Sequence, residues 1–296
     1  MNTVSVVIVH YKNTEDTMEA VSVLTSYQKK FSTIIIANSP LQGSQIIKKN
    51  NSIHIIEPGM NTGFSQGNNL GIKKAMELGS QTIILINNDT IFSVESLEKL
   101  ITFAYCDRSI GIVSPKIYFA KGYEFHKNRY KEFEKGKVLW YAGGVIDWNN
   151  MYPSHNGVDE VDHGQYERFC DTDFATGCCM LVKREVIETI GLFDEKYFLY
   201  FEDVDYSLRA RREGFRIMYD PSSPISHKNA SSSGKPGSRI HRYYLTRNRL
   251  YFAKKFAPFT TRKSLMLQSF QFLLSGSIER QAVFDYYIGR MGRGSI

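Results

Sequence analysis

Over the first 105 residues, short apolar runs alternate with helical patterns, and this alternation leaves the chain few architectures. Val4 to Val9 is a strand-forming run, followed by Thr14 to Tyr27, where Thr14 stands as a cap and Met18, Val21 and Leu24 recur on one helical face. Thr33 to Ala37 and Ile53 to Ile56 read as short strands, Ser65 to Leu78 as a helix closed by Gly79, Thr82 to Ile86 as the next strand and Val94 to Tyr105 as another helix. Such an order predicts a parallel, doubly wound sheet with helices on both faces. Ligands of open α/β sheets bind outside the C-terminal ends of the strands. The run Ile83-Ile84-Leu85-Ile86 ends there in Asn87-Asn88-Asp89-Thr90, two amides and a carboxylate, so Asp89 is the first candidate for chemistry.

After Pro115 the rhythm breaks into irregular, aromatic-rich sequence up to Cys170, which reads as insertions and antiparallel strands covering the site. A helix is expected from Glu202 to Glu213 with Gly214 as its stop, then a strand from Phe215 to Tyr219. Pro221 to Gly237, rich in Ser, Pro and Gly, is expected to be a mobile loop. Helices Ile240 to Phe256 and Arg262 to Leu274 follow. The chain thus divides into an α/β part, residues 1–238, and a helical, basic and aromatic part, residues 239–296.

The net charge of +7 is concentrated in one place. From Pro221 to Ile278 there is no Asp or Glu, while Lys228, Arg239, Arg242, Arg247, Arg249, Lys254 and Lys255 are among the cations of that stretch. Tyr243, Tyr244, Tyr251, Phe252, Phe256 and Phe259 interleave with them. This combination suits an anionic membrane surface or a polyphosphate ligand, or else a solvated helix face packed by its aromatics. No recognition motif for nucleic acid accompanies the charge. The four cysteines lack metal spacing, and two are adjacent, which suits neither a zinc site nor a disulfide scaffold, so a reducing, cytoplasmic setting is expected. Met1 to Val9 lacks the basic segment and the apolar length of a signal peptide, and no run approaches the ~18 apolar residues of a membrane span.

Two further segments carry chemistry. In Asn61-Thr62-Gly63-Phe64-Ser65-Gln66-Gly67-Asn68-Asn69-Leu70-Gly71 the glycines bracket a turn and open a helix, either to let a ligand approach backbone N–H groups or to pack that helix closely on the sheet. The pattern matches neither the Walker loop nor the dinucleotide fingerprint. In Phe193 to Asp205, acids lie among aromatics, and desolvation there raises a carboxylate's pKa toward the range of a general base. Taken alone, Glu202-Asp203 also serves as negative charge at a helix N-terminus.

Taken in order, Val4 to Tyr11, Asn61-Thr62-Gly63-Phe64, the strand ending Asn87-Asn88-Asp89-Thr90, Thr176 to Arg184, Gly191-Leu192-Phe193-Asp194-Glu195, and Glu202-Asp203-Val204-Asp205 followed by Arg209 resemble the landmarks of family 2 glycosyltransferases, in particular the rhamnosyltransferase-like branch. The match runs to about Lys255. The resemblance implies a GT-A fold: a mostly parallel central sheet flanked by helices, with a Rossmann-like nucleotide-binding half, an acceptor-binding half and C-terminal helices. It implies a divalent metal, Mn²⁺ or Mg²⁺, ligated by Asp89 and by His227, and Asp203 as the catalytic base of an inverting transfer. It places His10, Tyr11, Asn38, Asn61, Gly63, Phe64, Asn68, Asn87, Asn88 and Arg247 at the nucleotide-sugar donor, and Glu202, Asp205, Gly177 and Trp140 at the acceptor. Many relatives carry Asp-Asn where this chain has Ala37-Asn38, and Asn87 replaces the first acid of the metal motif, as is common in the rhamnosyltransferase-like branch.

The resulting expectation is a metal-dependent inverting glycosyltransferase at the cytoplasmic face of the membrane. It would transfer rhamnose from dTDP-rhamnose to a saccharide or lipid-linked saccharide, with peripheral membrane contact through the basic region and a homo-oligomer allowed. The alternatives are a UDP-hexose transferase of the same family and, in another class, a non-catalytic nucleotide-sugar or glycan-binding protein.

Overall fold

The computed structural model describes residues 3–26, 31–43, 50–229, 237–274 and 276–296. Strands β1 (Val4–His10), β2 (Phe31–Ala37), β3 (Ile53–Ile56) and β4 (Thr82–Asn87) alternate with helices α1 (Thr14–Ser26), α2 (Gly63–Glu77) and α3 (Val94–Ala104). The residues between follow as β5 (Thr90–Ile91), β6 (Ile110–Phe119), β7 (Leu139–Tyr141), the hairpin β8 (Gly144–Asp147) and β9 (Tyr152–His155), and β10 (Cys170–Asp171). Then come β11 (Cys179–Lys183), α4 (Arg184–Ile190), α5 (Glu202–Arg212), β12 (Arg216–His227), α6 (Arg239–Phe256), α7 (Phe259–Leu273) and α8 (Ile278–Tyr287).

The central sheet has the order β10-β12-β6-β11-β4-β1-β2-β3. The pairs β4–β1, β1–β2, β2–β3 and β12–β6 are parallel, whereas β11 runs against both of its neighbours. The period-2 alternation of strand side chains sends Val6, Ile8, Ile84 and Ile86 to one face, where α1 and α3 cover them, and Val7, Ile34, Ile83 and Leu85 to the other, under α2, α4 and α5. Both faces are therefore dry, and polar groups collect at the rim. The glycines at 67 and 71 allow α2 to lie close on β1. A Cβ at Gly71 would stand 2.2 Å from Val7 Cγ1 and one at Gly67 3.2 Å from Val9, so the packing explanation holds for these two.

Several features differ from the sequence expectation. The strand expected to end at Tyr219 continues to His227, so residues 221–227 are sheet and not loop; residues 230–236 of the expected loop lie outside the described residues. Pro221 and Pro224 are tolerated because the ladder breaks between Asp220, opposite Pro115, and Ile225, opposite Ile117. Strand β6 likewise passes through Pro115, where pairing with β11 has ended at Val113 and the bulge in β12 is about to begin. Finally, β11, α4 and α8 are short elements absent from the sequence expectation.

Candidate active site

A cleft opens at the C-terminal ends of β1, β2 and β4. Its sheet-side wall is Val9, Tyr11, Asn38, Asn61, Gly63, Phe64, Asn87, Asn88 and Asp89. Asp89 sits in the turn between β4 and β5, and β5 pairs with the end of β12, which brings Thr90 opposite His227. The bulge at 221–224 restores the β12 ladder just in time to aim His227 at this turn. His227 Nε2 lies 3.0 Å from Asp89 Oδ1, and both side chains are buried. Burial opposes charge on the imidazole, but the neighbouring Cys178 sulfur and the Asp89 carboxylate outweigh it and hold the ring well above the usual histidine range. Two donors thus converge at one rim. Among the described residues no third His, Cys, Asp or Glu joins them to make a protein-only metal cage.

The amides of this wall are structural as well as exposed to the cleft. Asn38 Nδ2 donates to Gly63 O (2.9 Å) and its Oδ1 accepts from the Thr62 hydroxyl (2.7 Å), which fixes the turn into α2. Gly63 needs its φ of +76°, and a Cβ there would stand 2.6 Å from the carbonyl oxygen of Phe198. Asn88 Nδ2 donates to Thr17 Oγ1 (3.1 Å), and the buried His10 ring contacts the same hydroxyl at 2.7 Å. His10 therefore stands behind the cleft and supports Asn88. Asn68 also turns away: its amide donates to Phe64 O within α2.

A second pocket lies on the other side of residues 198–201, lined by Glu202, Asp203, Phe174, Tyr152, His155 and His241 among others. Asp203 is half-buried in the first turn of α5. Its Oδ2 accepts from Gly177 N–H and its Oδ1 from Val204 N–H, each at 2.9 Å. Burial raises its pKa and these two N–H bonds pull part of the shift back. Gly177 is dictated by Phe64, whose ring a Cβ would meet at 2.7 Å. Burial, then the adjacent Asp203 charge, pushes the Glu202 carboxyl well above its ordinary value, and its Oε2 has no hydrogen-bond partner among the described residues. His155, half-buried and bonded to the Trp140 carbonyl (3.0 Å), is lowered by desolvation to about 4 and stays neutral. Trp140 itself stands edge-on between His155 (4.5 Å) and His227 (4.7 Å), so it packs behind the Asp89–His227 pair.

The segment separating the pockets is strained. Phe198, Tyr200 and Phe201 have φ of 63°, 69° and 75°, values that cost a non-glycine residue about 1–2 kcal/mol each. Asn248 holds it by donating from Nδ2 to the carbonyls of Tyr197, Leu199 and Tyr200 at 2.8 to 2.9 Å. Arg247 is wholly buried, donates to the carbonyl of Tyr197 and lies over the Tyr243 and Tyr244 rings. This corrects the expectation of an arginine at the donor: Arg247 is a clamp beneath the cleft. Asp205 is corrected for a similar reason, since its fully buried carboxylate is taken by Tyr197, Arg209 and Lys255 and faces no pocket. Sequence reading missed the opposite wall of the first cleft, namely Phe198, Leu199, Ile240, Tyr244, Arg293 and Ile296. The aromatic setting of Phe198 and the basic, aromatic stretch that holds Tyr244 were the hints of it.

The chain matches the family model described as "Glycosyltransferase like family 2" over residues 2–246. It is 27% identical over 218 residues to the low-salt glycan biosynthesis hexosyltransferase Agl10 of Haloferax volcanii, covering 73% of this chain and 64% of that protein. To the dTDP-rhamnosyl transferase RfbF of Shigella flexneri it is 25% identical over 220 residues, covering 69% and 64%. The match therefore spans just under two thirds of either relative's length. Among solved structures the chain is similar to the crystal structure of GalNAc-T7 with UDP, GalNAc and Mn²⁺, with a TM-score of 0.61 and 16% identity over 92% of this chain and 57% of that one. That likeness is one of fold, the GT-A arrangement of a nucleotide-binding sheet with an added half. The family model runs from β1 into α6 and takes in Asp89, Asp203 and His227, and on that ground the chain belongs to the glycosyltransferase-like family 2.

Proposed function

We propose that this chain is a metal-dependent inverting glycosyltransferase that moves a sugar from a nucleoside diphosphate to a hydroxyl of a saccharide or lipid-linked saccharide. The observation that carries the reading is the pair of pockets on either side of residues 198–201, one ending at Asp89 and His227 and the other at Asp203. A carboxylate oxygen and an imidazole nitrogen 3.0 Å apart fit a Mn²⁺ or Mg²⁺ ion, which would displace the proton that the pair otherwise holds, with phosphate oxygens and water to complete the shell. Such an ion, when bound, neutralises charge that grows on the diphosphate as the glycosidic bond breaks.

The protein's own residues do the rest. The Asn38–Thr62–Gly63 turn and Tyr11 bound the space for the nucleotide. Tyr152, Tyr200 and His241 offer flat ring surface to an acceptor sugar. Asp203 takes the proton of the acceptor hydroxyl as that oxygen bonds to the anomeric carbon. The bond from that carbon to the phosphate oxygen breaks, and its electron pair leaves with the diphosphate. The two N–H bonds from Gly177 and Val204 fix which oxygen faces the pocket, while the raised pKa makes the carboxylate a stronger base.

The name of the Shigella relative makes dTDP-rhamnose the first donor to test; that of the Haloferax relative, a hexosyltransferase, supports a hexose donor, of which UDP-hexoses are tested second. A melting-temperature screen against nucleotide sugars with and without Mn²⁺ identifies the donor by its stabilisation of the native state. With that donor, Asp203→Asn is expected to lower transfer by about 10²–10⁴-fold and leave donor binding unchanged. Turnover of Asp203→Asn at the wild-type rate would remove Asp203 from the chemistry. Loss of donor binding together with transfer would make it a structural residue instead.

A further inference from the structure

A nucleoside diphosphate brings several negative charges into the first cleft, and the sheet-side wall answers with amides, apolar side chains and one acid, Asp89. Among the described lining residues a single one is cationic, Arg293. It comes from the segment that follows α8, beyond the region matched by the family model. Its backbone is locked on both sides. Gly292 N–H donates to Lys196 O (2.8 Å), the Tyr244 hydroxyl donates to Arg293 O (2.8 Å), and Ser295 N–H donates to the buried Asp285 Oδ2 (3.0 Å). Gly294 has φ +74° and lies so tightly against the clamp that a Cβ would stand 2.0 Å from the Tyr243 hydroxyl and 2.8 Å from Arg247 Nη1. The side chain of Arg293, in contrast, is exposed, and among the described residues its guanidinium has no carboxylate or hydrogen-bond partner. The structure therefore fixes the main chain of one residue and leaves its charged end free at the cleft wall.

We propose that Arg293 binds the diphosphate of the donor. A guanidinium presents a planar fork of N–H donors that matches two phosphate oxygens at once, and such charge-assisted bonds are among the strong ones. Gly294 packs directly on Tyr243 and Arg247, so the buried clamp lies beneath the segment that carries Arg293. This inference rests on the first cleft being the donor site, and the experiment separates the two claims.

Isothermal titration of dTDP and UDP in Mn²⁺, with thymidine and uridine as uncharged controls, is carried out on the full chain, Arg293→Gln and Arg293→Lys. Arg293→Gln is expected to weaken diphosphate binding about ten-fold or more, while nucleoside binding and the ligand-free melting temperature stay as in the wild type. Arg293→Lys keeps part of the affinity. Diphosphate affinity in Arg293→Gln within about two-fold of wild type overturns the assignment. Equal weakening of diphosphate and nucleoside overturns it as well, since Arg293 would then shape the cleft and not bind phosphate. If the wild-type chain binds neither nucleotide, the donor-site reading fails and takes this assignment with it.

Discussion

Glu202 is a buried carboxyl with one oxygen unpartnered and an acid beside it in sequence. Burial, followed by the charge of Asp203, raises its folded-state pKa well above the usual glutamate value. Below the unfolded pKa of about 4.3 both states hold the proton, and nothing is lost. As pH rises past that value, the unfolded chain ionises freely while the folded chain resists, so stability falls with increasing pH. Glu202→Gln, which stays neutral throughout, is expected to raise stability by about 1 kcal/mol or more at pH 7.5 and to change nothing at pH 4. Thermal unfolding across that range checks it, and a constant difference between the two proteins would show that ionisation is not the cause. Single residues were legible in sequence where a strand end isolated them, as for Asp89, or where an acid opened a helix, as for Asp203. Arg247 was not, because an arginine's place beneath or beside a cleft depends on contacts with residues 196 and 197, about fifty positions away.

At the scale of elements, the bridge between the two pockets depends on a side chain outside it. Asn248→Ala removes the donor shared by the carbonyls of Tyr197, Leu199 and Tyr200; Tyr197 O keeps Arg247 and Leu199 N–H, so the loss falls on Leu199 and Tyr200, at about 1–3 kcal/mol for a carbonyl left buried and unpaired. The positive-φ residues of that bridge then have less to hold them. The variant is expected to melt several degrees lower, by about 4–8 °C per kcal/mol in the smallest domains and less in a chain of this size. Transfer measured well below its melting point should fall further than the melt implies; unaltered transfer would show that the bridge needs no clamp. The strands before residue 90 were readable because burial on both faces makes them continuous apolar runs. Strand β12 was not, because Pro221, Ser222, Ser223 and Pro224 have the composition of a loop, and only the sheet reveals that they bulge from a ladder that resumes at Ile225. Helix α8 has Ile278, Ala282, Val283 and Tyr286 at helical spacing, but at ten residues it is too short for that stripe alone to distinguish it from a loop.

In the whole molecule, α6 to α8 contribute Leu250, Phe252, Leu265 and Val283 to the same apolar cluster as Val6 and Ile84. Their outer side is different. Phe259 (77% exposed), Leu267 (59%), Phe270 (51%) and Leu274 (91%) stand in water beside Arg262 and Lys263. No helix among the described residues is long and apolar enough to cross a membrane. This surface fits the interfacial contact expected of an enzyme with a lipid-linked acceptor. Co-sedimentation with anionic vesicles at low salt is expected for the wild-type chain and is expected to be lost in Leu267→Glu/Phe270→Glu. Equal binding by both would assign the membrane contact elsewhere.

The reversed strand β11 has a consequence for how the protein reports on itself. Because it runs against its neighbours, Gly177, which precedes a strand, reaches the same rim as Asp89, which follows its strand, and His227, which ends its own. With Arg293 and Ile296 closing the far wall, the rim draws on nearly the full length of the chain. Contacts of such sequence separation carry the largest loop-closure cost and are among the first to go when a chain loosens. At the proposed donor site, nucleotide binding is thus a probe of complete assembly, and a fragment that keeps every strand yet lacks the final turn is expected to be folded in its core and weakened at its cleft.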